Sequence, residues 1–131
     1  MTLVRPRRLR TTPAMRTLVR ETRVHPAQLV LPVFVADGID AERPIASMPG
    51  VVQHTLESLR RAAWAAAEAG LGGLMLFGVP REDDKDAAGT CGADPEGILN
   101  RGLRAVRDEV GDTIVVMADT CLDEFTDHGH C

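Results

Sequence analysis

The densest group of reactive side chains lies at the end of the sequence. Thiol, carboxylate and imidazole groups follow one another there, at Asp119, Cys121, Asp123, Asp127, His128, His130 and Cys131. All three groups are zinc ligands, and a catalytic zinc takes three protein ligands and keeps one position open. The segment contains no CxxC pair, so its spacing fits a metal-binding loop and equally a polar loop with incidental cysteines and histidines.

Three apolar segments form the predicted strands that must position this group. They are residues 29–35 (LVLPVFV), 73–79 (GLMLFGV) and 113–118 (TIVVMA). Pro32 argues against a central position for the first strand, because proline cannot donate to a sheet ladder. Residues 36–54 are rich in glycine and proline, which predicts a loop or a short hairpin.

Two helices are predicted between the strands. Apolar residues at spacings of three and four indicate a helix over about 56–69, capped by Thr55 and ended near Gly70. A second helix should begin with Asp94 as its cap and Pro95 as its first residue, and it should end at Gly111. Its apolar positions are Leu99, Leu103, Val106 and Val110.

The order β-α-β-α-β predicts an α/β fold with a parallel sheet that is covered on both faces. An open doubly wound sheet and part of a (β/α)8 barrel both fit this order. No GxGxxG or Walker loop follows a strand, so nothing supports nucleotide binding. Asp119 comes directly after the third strand, at the sheet edge where active sites form in such folds.

The net charge of −4 is unevenly distributed. Residues 1–28 carry seven arginines and one acid, whereas residues 29–131 carry 8 basic and 18 acidic side chains. A basic arm could bind nucleic acid, direct the chain to an organelle or pack on an acidic neighbouring subunit. No aromatic residue lies among the arginines, which disfavours nucleic acid. We therefore expect a subunit-packing arm over 1–28, followed by one domain over 29–131.

Other features of the sequence concern the compartment. No apolar run reaches the length of a membrane span, and no signal-peptide core follows the first basic residues. We therefore expect a cytoplasmic protein with no membrane partner. The odd number of cysteines argues against a disulfide framework in such a protein.

Several separated motifs resemble the porphobilinogen synthase (5-aminolaevulinate dehydratase) family. Residues 119–131, DTCLDEFTDHGHC, resemble the family pattern DxCLCxYTxHGHC. The resemblance also covers RPRRLR (5–10), GID (38–40), PIASMPGV (44–51), LMLFGVP (74–80) and KD (85–86). Because these motifs occur in the family's order, the chain is identified as resembling the N-terminal portion of such an enzyme, which implies a partial (β/α)8 barrel with an extended arm.

The resemblance implies roles for individual residues. Asp119 matches a catalytic carboxylate that binds the amino group of the substrate, 5-aminolaevulinate. Cys121 and Cys131 match two of three zinc-binding cysteines, and Asp123 stands where the second of the three is found in zinc-dependent members. A Cys-Asp-Cys set can still bind Zn²⁺, although the harder oxygen ligand weakens the preference for a soft metal and leaves room for Mg²⁺ elsewhere.

The resemblance also implies what the remaining motif residues do. His128 and His130 would shape the loop rather than bind metal, and Phe125 replaces a more usual tyrosine. Cys91 matches no ligand, and we expect an unremarkable thiol there, either at the surface or half-buried.

The reaction implied by the resemblance condenses two molecules of 5-aminolaevulinate to porphobilinogen, through Schiff bases on lysine. The only lysine in the sequence, Lys85, matches the KD pair and not a reactive lysine. We therefore expect these 131 residues to be inactive alone. The family assembles as a homo-oligomer, commonly an octamer. The alternative is a non-catalytic metal-binding or subunit-association fragment.

Overall fold

The computed structural model of the chain describes residues 7–130. Five strands lie within these residues: β1 (Val30–Ala36), β2 (Arg43–Pro44), β3 (Val52–His54), β4 (Gly73–Val79) and β5 (Val115–Ala118). The same residues form four α-helices: α1 (Pro13–Leu18), α2 (Leu56–Glu68), α3 (Thr90–Ala93) and α4 (Ile98–Val110). Single 3-10 turns lie at Arg8–Arg10, Pro26–Gln28 and Glu82–Asp84.

The described strands form an open sheet in the order β2-β3-β1-β4-β5. Strands β1, β4 and β5 are parallel neighbours, as predicted, and β3 pairs in parallel with the other side of β1. Strand β2 is antiparallel to β3 and makes the short hairpin that the composition of residues 36–54 indicated. The carboxyl ends of β1, β4 and β5 therefore lie along one edge of the sheet.

Pro32 lies inside β1 because that strand is paired on both sides only near its end. Strand β3 pairs with β1 at Phe34 and Val35 alone, whereas β4 pairs along the whole strand and places Met75 opposite Pro32. Within the described residues, Pro32 thus occupies a position with a single neighbouring strand, where proline is tolerated. The strand predicted over residues 29–35 is confirmed, and it begins and ends one residue later.

The hydrophobic core lies between the sheet and helices α2 and α4. Helix α2 buries Leu59, Ala63 and Ala66, which confirms the predicted apolar stripe. Helix α4 buries Leu99, Val106 and Val110, while Leu103 is half-buried against the same cluster. The strands contribute Val33, Val35, Leu74 and Leu76 to this core.

Coverage of both sheet faces was predicted for every strand, and this prediction is wrong for β5 and for the exposed first residues of β1. Val115 is 59% exposed, and the other residues of β5 are half-buried. Among residues 7–130, β5 has a neighbouring strand only on its β4 side. It is an edge strand. Its residues are apolar, but the other elements within residues 7–130 do not cover them fully.

The start of α4 also differs from the prediction. Gly97, not Asp94, is the residue before the first helical turn, and Pro95 precedes the helix. The Asp94 carboxylate accepts the N–H of Glu96 at 2.8 Å and so forms a turn instead of a cap. Gly111 ends the helix, as predicted, with a positive φ of 55°.

The start of α2 follows the prediction closely. The Thr55 side chain accepts the N–H of Ser58 at 3.1 Å, and the Ser58 hydroxyl accepts the N–H of Thr55 at the same distance. This reciprocal capping box satisfies two backbone donors that the first helical turn would otherwise leave unpaired.

The segment before the sheet is exposed over residues 7–31, apart from a half-buried Met15. Its junction with the sheet is made by Gly72, whose N–H donates to the carbonyls of Leu29 and Pro26. A Cβ at position 72 would collide with the Ala27 carbonyl, so only glycine permits this approach. The division of the chain near residue 28 stays a prediction. Among residues 7–130, every helix is too short or too polar to cross a membrane.

His54 joins the β2–β3 hairpin to α2. Its Nδ1 lies 3.1 Å from the Ser58 hydroxyl and 3.5 Å from a carboxylate oxygen of Glu42. Burial lowers the pKa of His54 below 6.5, although the nearby Glu42 carboxylate acts in the opposite direction. The folded chain therefore favours neutral imidazole more than the unfolded chain does.

Acidification is expected to destabilise the chain through His54. Because the pKa is depressed in the folded state, this contribution to stability is fully present above pH 6.5 and is lost as the pH falls through the lowered pKa. Urea unfolding, followed by circular dichroism, should be measured above and below pH 6.5. On acidification, the free energy of unfolding should fall less for His54→Gln than for the unaltered chain. His25→Gln, in the exposed arm, is the control. Parallel pH profiles for the unaltered chain and His54→Gln would contradict the prediction.

Candidate functional site

The loop that follows β5 begins at the carboxyl edge of the sheet. The backbone N–H of Asp119 donates to the Leu76 carbonyl at 2.9 Å, which extends the β4–β5 pairing by one residue. The Asp119 side chain is half-buried at this edge. The predicted position of Asp119, directly beyond the third long strand, is therefore confirmed.

Two members of the predicted metal set lie on the same loop. Cys121 is half-buried and, with Asp119, lines a cleft of about 220 Å³ against α3 and α4. Asp123 is exposed, and its carbonyl accepts the Thr126 hydroxyl at 3.3 Å. Cys131 lies outside the described residues. Within residues 7–130, no three His, Cys, Asp or Glu side chains come together as a metal site, and the complete set stays a prediction.

The loop has a negative electrostatic character. Glu124 is half-buried, and burial raises the pKa of its carboxyl group, with further contributions from the charges of Asp119 and Asp123. The acidic side chains of Asp119, Asp123 and Glu124 thus lie close together on this loop. Sequence reasoning missed Glu124, although its position between two candidate carboxylates was a visible signal.

Phe125 anchors the loop in the protein core. The side chain is 2% exposed and belongs to the main hydrophobic cluster. Glycines make room for its ring: a Cβ built at Gly92 would lie 3.0 Å from the ring, and one built at Gly78 would lie 3.2 Å from it. The presence of one aromatic residue in a polar loop could have indicated this anchor. The family resemblance indicated only that Phe125 lacks the hydroxyl of the more usual tyrosine.

A second loop, residues 80–97, pairs with the loop that carries Asp119. Asp86 and Thr126 form a parallel bridge, and the N–H of Asp127 donates to the Asp86 carbonyl at 3.1 Å. The Cys91 thiol donates to the Phe125 carbonyl at 3.8 Å. These contacts join segments about 40 residues apart in the chain, and they fix the path of residues 125–127.

The Asp86 carboxylate shapes the 80–97 loop itself. One of its oxygens accepts the N–H groups of Ala88, at 3.0 Å, and Thr90, at 2.9 Å. Hydrogen bonds from the side chain and backbone of Thr90 lower the pKa of Asp86 below its usual value, as expected for a carboxylate bonded in its charged form.

The two histidines of the motif lie beside each other on this loop, and their predicted loop-shaping role stays a prediction. His128 Nε2 lies 3.2 Å from the Ala87 carbonyl, and the His128 and His130 rings stack with centroids 6.1 Å apart. The backbone N–H of His130 donates to the Thr126 hydroxyl at 3.2 Å. Cys91 is half-buried, as expected, and burial raises the pKa of its thiol.

Asp37 and residues of the 80–97 loop line a larger cleft of about 610 Å³. The Lys85 ammonium lies 2.8 Å from a Glu82 carboxylate oxygen, and Asp37 lies 3.6 Å from Arg101. Carboxylates dominate the lining of this cleft, namely Asp37, Asp84, Asp86, Asp94 and Glu96.

Comparison with known proteins gives one consistent result. A family model described as delta-aminolevulinic acid dehydratase matches residues 3–131. The delta-aminolevulinic acid dehydratase of Mycobacterium leprae is 71% identical over 127 residues, which cover 97% of this chain and 39% of that protein. The Streptomyces coelicolor protein of the same name is 65% identical over 97% of this chain. The chain thus spans about two fifths of the length of these relatives.

A solved structure shows the same fold. The structure is that of delta-aminolevulinic acid dehydratase (porphobilinogen synthase) from Toxoplasma gondii, in complex with the reaction product porphobilinogen. The match covers 98% of this chain and 36% of the Toxoplasma chain. The TM-score is 0.87 at 32% sequence identity. The open sheet described above is accordingly an incomplete section of the (β/α)8 barrel that the sequence predicted.

Proposed function

Because the chain belongs to the delta-aminolevulinic acid dehydratase family, we propose that it forms part of a hydro-lyase that condenses two molecules of 5-aminolaevulinate to porphobilinogen in tetrapyrrole synthesis. The observation that carries this proposal is the placement of Asp119, Cys121 and Asp123 on one loop at the carboxyl edge of the sheet. Active sites of parallel barrels form at this edge.

Asp119 is the proposed catalytic and substrate-binding residue. Its backbone is held at the end of β5 by the hydrogen bond to Leu76. The substrate's amino group is cationic when protonated, and a half-buried carboxylate would bind it and accept or return its proton. The neighbouring carboxyl groups of Asp123 and Glu124 add further negative charge to the same loop, which suits a cationic substrate group.

Cys121, Asp123 and Cys131 are the proposed ligands of a zinc ion. Thiolate and carboxylate are both zinc donors, and Cys121 and Asp123 lie on the same loop as Asp119. A bound zinc ion would act as a Lewis acid toward a substrate carbonyl. Because Asp123 supplies a hard oxygen, a separate Mg²⁺ site elsewhere in the whole protein is also part of the proposal.

The proposed enzyme is a cytoplasmic homo-oligomer, octameric as the family resemblance implies. Among the described residues, the arm supports this proposal, because it is exposed and rich in arginine over residues 7–23. Exposed apolar side chains accompany these arginines, and such a surface suits an acidic, partly apolar neighbouring subunit. They are Leu9, Leu18, Val19 and Val24.

Zinc titration of the purified chain, with and without 5-aminolaevulinate, tests the proposed site. Cys121→Ser is expected to weaken zinc binding by more than about 10-fold, since even changes beside metal ligands cost 10-fold to 100-fold. Asp123→Cys should tighten binding by restoring a third thiolate. Cys91→Ser removes a thiol outside the set and should bind zinc like the unaltered chain.

Two outcomes would count against the proposal in different ways. Equal zinc affinity for Cys121→Ser and the unaltered chain would remove Cys121 from the ligand set. Zinc binding that neither affects nor is affected by 5-aminolaevulinate would favour a metal-binding fragment without a substrate site.

A further inference from the structure

We propose that Asp86 is a positioning residue for the loop of residues 119–130, which it holds from outside the active-site motif. This inference rests on the proposed function, because it concerns the loop that carries Asp119, Cys121 and Asp123. Asp86 itself lies on the 80–97 loop, more than 30 residues earlier in the chain.

The first step is local and involves the Asp86 side chain. Its carboxylate accepts the N–H groups of Ala88 and Thr90, which closes the chain into a tight turn before α3. An aspartate that bonds to N–H groups two and four residues ahead fixes its own backbone orientation. The Asp86 carbonyl therefore points in a defined direction.

The second step joins the two loops through the backbone. The Asp86 carbonyl accepts the N–H of Asp127, within a parallel bridge between Asp86 and Thr126. The neighbouring Ala87 carbonyl lies 3.2 Å from His128 Nε2. The turn that the Asp86 carboxylate closes thus presents two successive carbonyls to residues 127 and 128.

The third step lies within the motif loop. The Thr126 hydroxyl is buried and bonds to the carbonyls of Asp123, at 3.3 Å, and His130, at 3.0 Å. A shift of Thr126 would therefore move the backbone of a proposed metal ligand. Asp86 reaches Asp123 through this chain of hydrogen bonds and needs no direct contact with metal or substrate.

The structure also provides a matched control. Asp83 lies on the same loop, is exposed like other residues of that turn, and is not bonded through its carboxylate to either loop within residues 7–130. Replacing Asp83 removes one negative charge from the 80–97 loop, as replacing Asp86 does. A difference between the two variants therefore reports on the hydrogen bonds of Asp86 and not on charge.

The test compares Asp86→Ala, Asp86→Asn and Asp83→Ala in the full 131-residue chain. Amide hydrogen exchange should be about 10-fold faster at Asp127 and His130 in Asp86→Ala, since two hydrogen bonds that close the turn are lost. Asp86→Asn keeps an acceptor oxygen and should restore slow exchange. Asp83→Ala should match the unaltered chain, and amides of β1 and β4 should be unchanged in all variants. Zinc alone, as the second probe, should bind about 10-fold more weakly to Asp86→Ala.

The outcomes separate this inference from the proposed function. If the unaltered chain binds no zinc, the ligand set is wrong, and hydrogen exchange at Asp127 and His130 alone decides the role of Asp86. Unchanged exchange there in Asp86→Ala would overturn the inference. Equal acceleration throughout β1 and β4 would also overturn it, because Asp86 would then support general stability. Faster loop exchange with unchanged zinc affinity would show that the loop does not need Asp86 to place its ligands.

Discussion

The purified 131-residue chain is expected to form no detectable porphobilinogen from 5-aminolaevulinate. The family reaction proceeds through Schiff bases on lysine, and a reactive lysine must be neutral, which requires burial or a neighbouring cation. The only lysine of the chain, Lys85, is engaged elsewhere, because its side-chain nitrogen lies 2.8 Å from a Glu82 carboxylate oxygen on the 80–97 loop.

Two measurements check this expectation. Product formation should be absent with the chain and present with the Mycobacterium leprae relative, assayed side by side under the same conditions. Borohydride reduction in the presence of substrate should trap a lysine adduct on the relative and none on Lys85. Turnover by the chain, or a trapped adduct on Lys85, would show that the proposed chemistry has been assigned to the wrong residues.

Phe125→Ala is expected to have the largest effect on stability, about 3–5 kcal/mol, which is the usual cost of removing a buried aromatic ring. The ring is 2% exposed and fills a space that glycines leave open, so the variant would contain a cavity that its neighbours cannot close. Total stabilities of single domains are only about 5–15 kcal/mol. Detachment of the loop 119–130 from the core should therefore precede global unfolding.

Urea denaturation and thiol labelling together measure this effect. Phe125→Ala should unfold at lower urea concentration, and Cys121 should react faster with a thiol reagent, quantified on its own peptide by mass spectrometry. Leu122→Ala is the matched control, because Leu122 lies on the same loop but is 40% exposed. Similar results for the two variants would mean that the ring does not anchor the loop.

Much of the fold follows from local sequence patterns. The helical spacing of Leu59, Ala63 and Ala66 and the capping residue Thr55 were sufficient for α2. The start of α4 was predicted wrongly because Asp94 and Pro95 suit a turn and a helix start equally well. What distinguishes the observed start is a close contact between Gly97 and the Cys91 carbonyl, with which a side chain at position 97 would collide. A single close contact of this kind leaves no periodic signal in the sequence.

The candidate site likewise combines features that the local sequence could predict with contacts that it could not. Asp119 was predicted from its position after a strand, and the structure places it at the expected edge. The pairing of Asp86 with Thr126 could not be predicted, because it is made by backbone atoms, which every residue type carries. The role of Cys131 and the zinc set stay predictions.

The close approach of Gly92 to Phe125 has a consequence for the evolution of this loop. A Cβ at position 92 would lie 3.0 Å from the ring, so a side chain there requires the ring of Phe125 to give way by a few tenths of an ångström. A smaller residue at position 125 would remove that restriction. The two positions should therefore covary among homologous sequences.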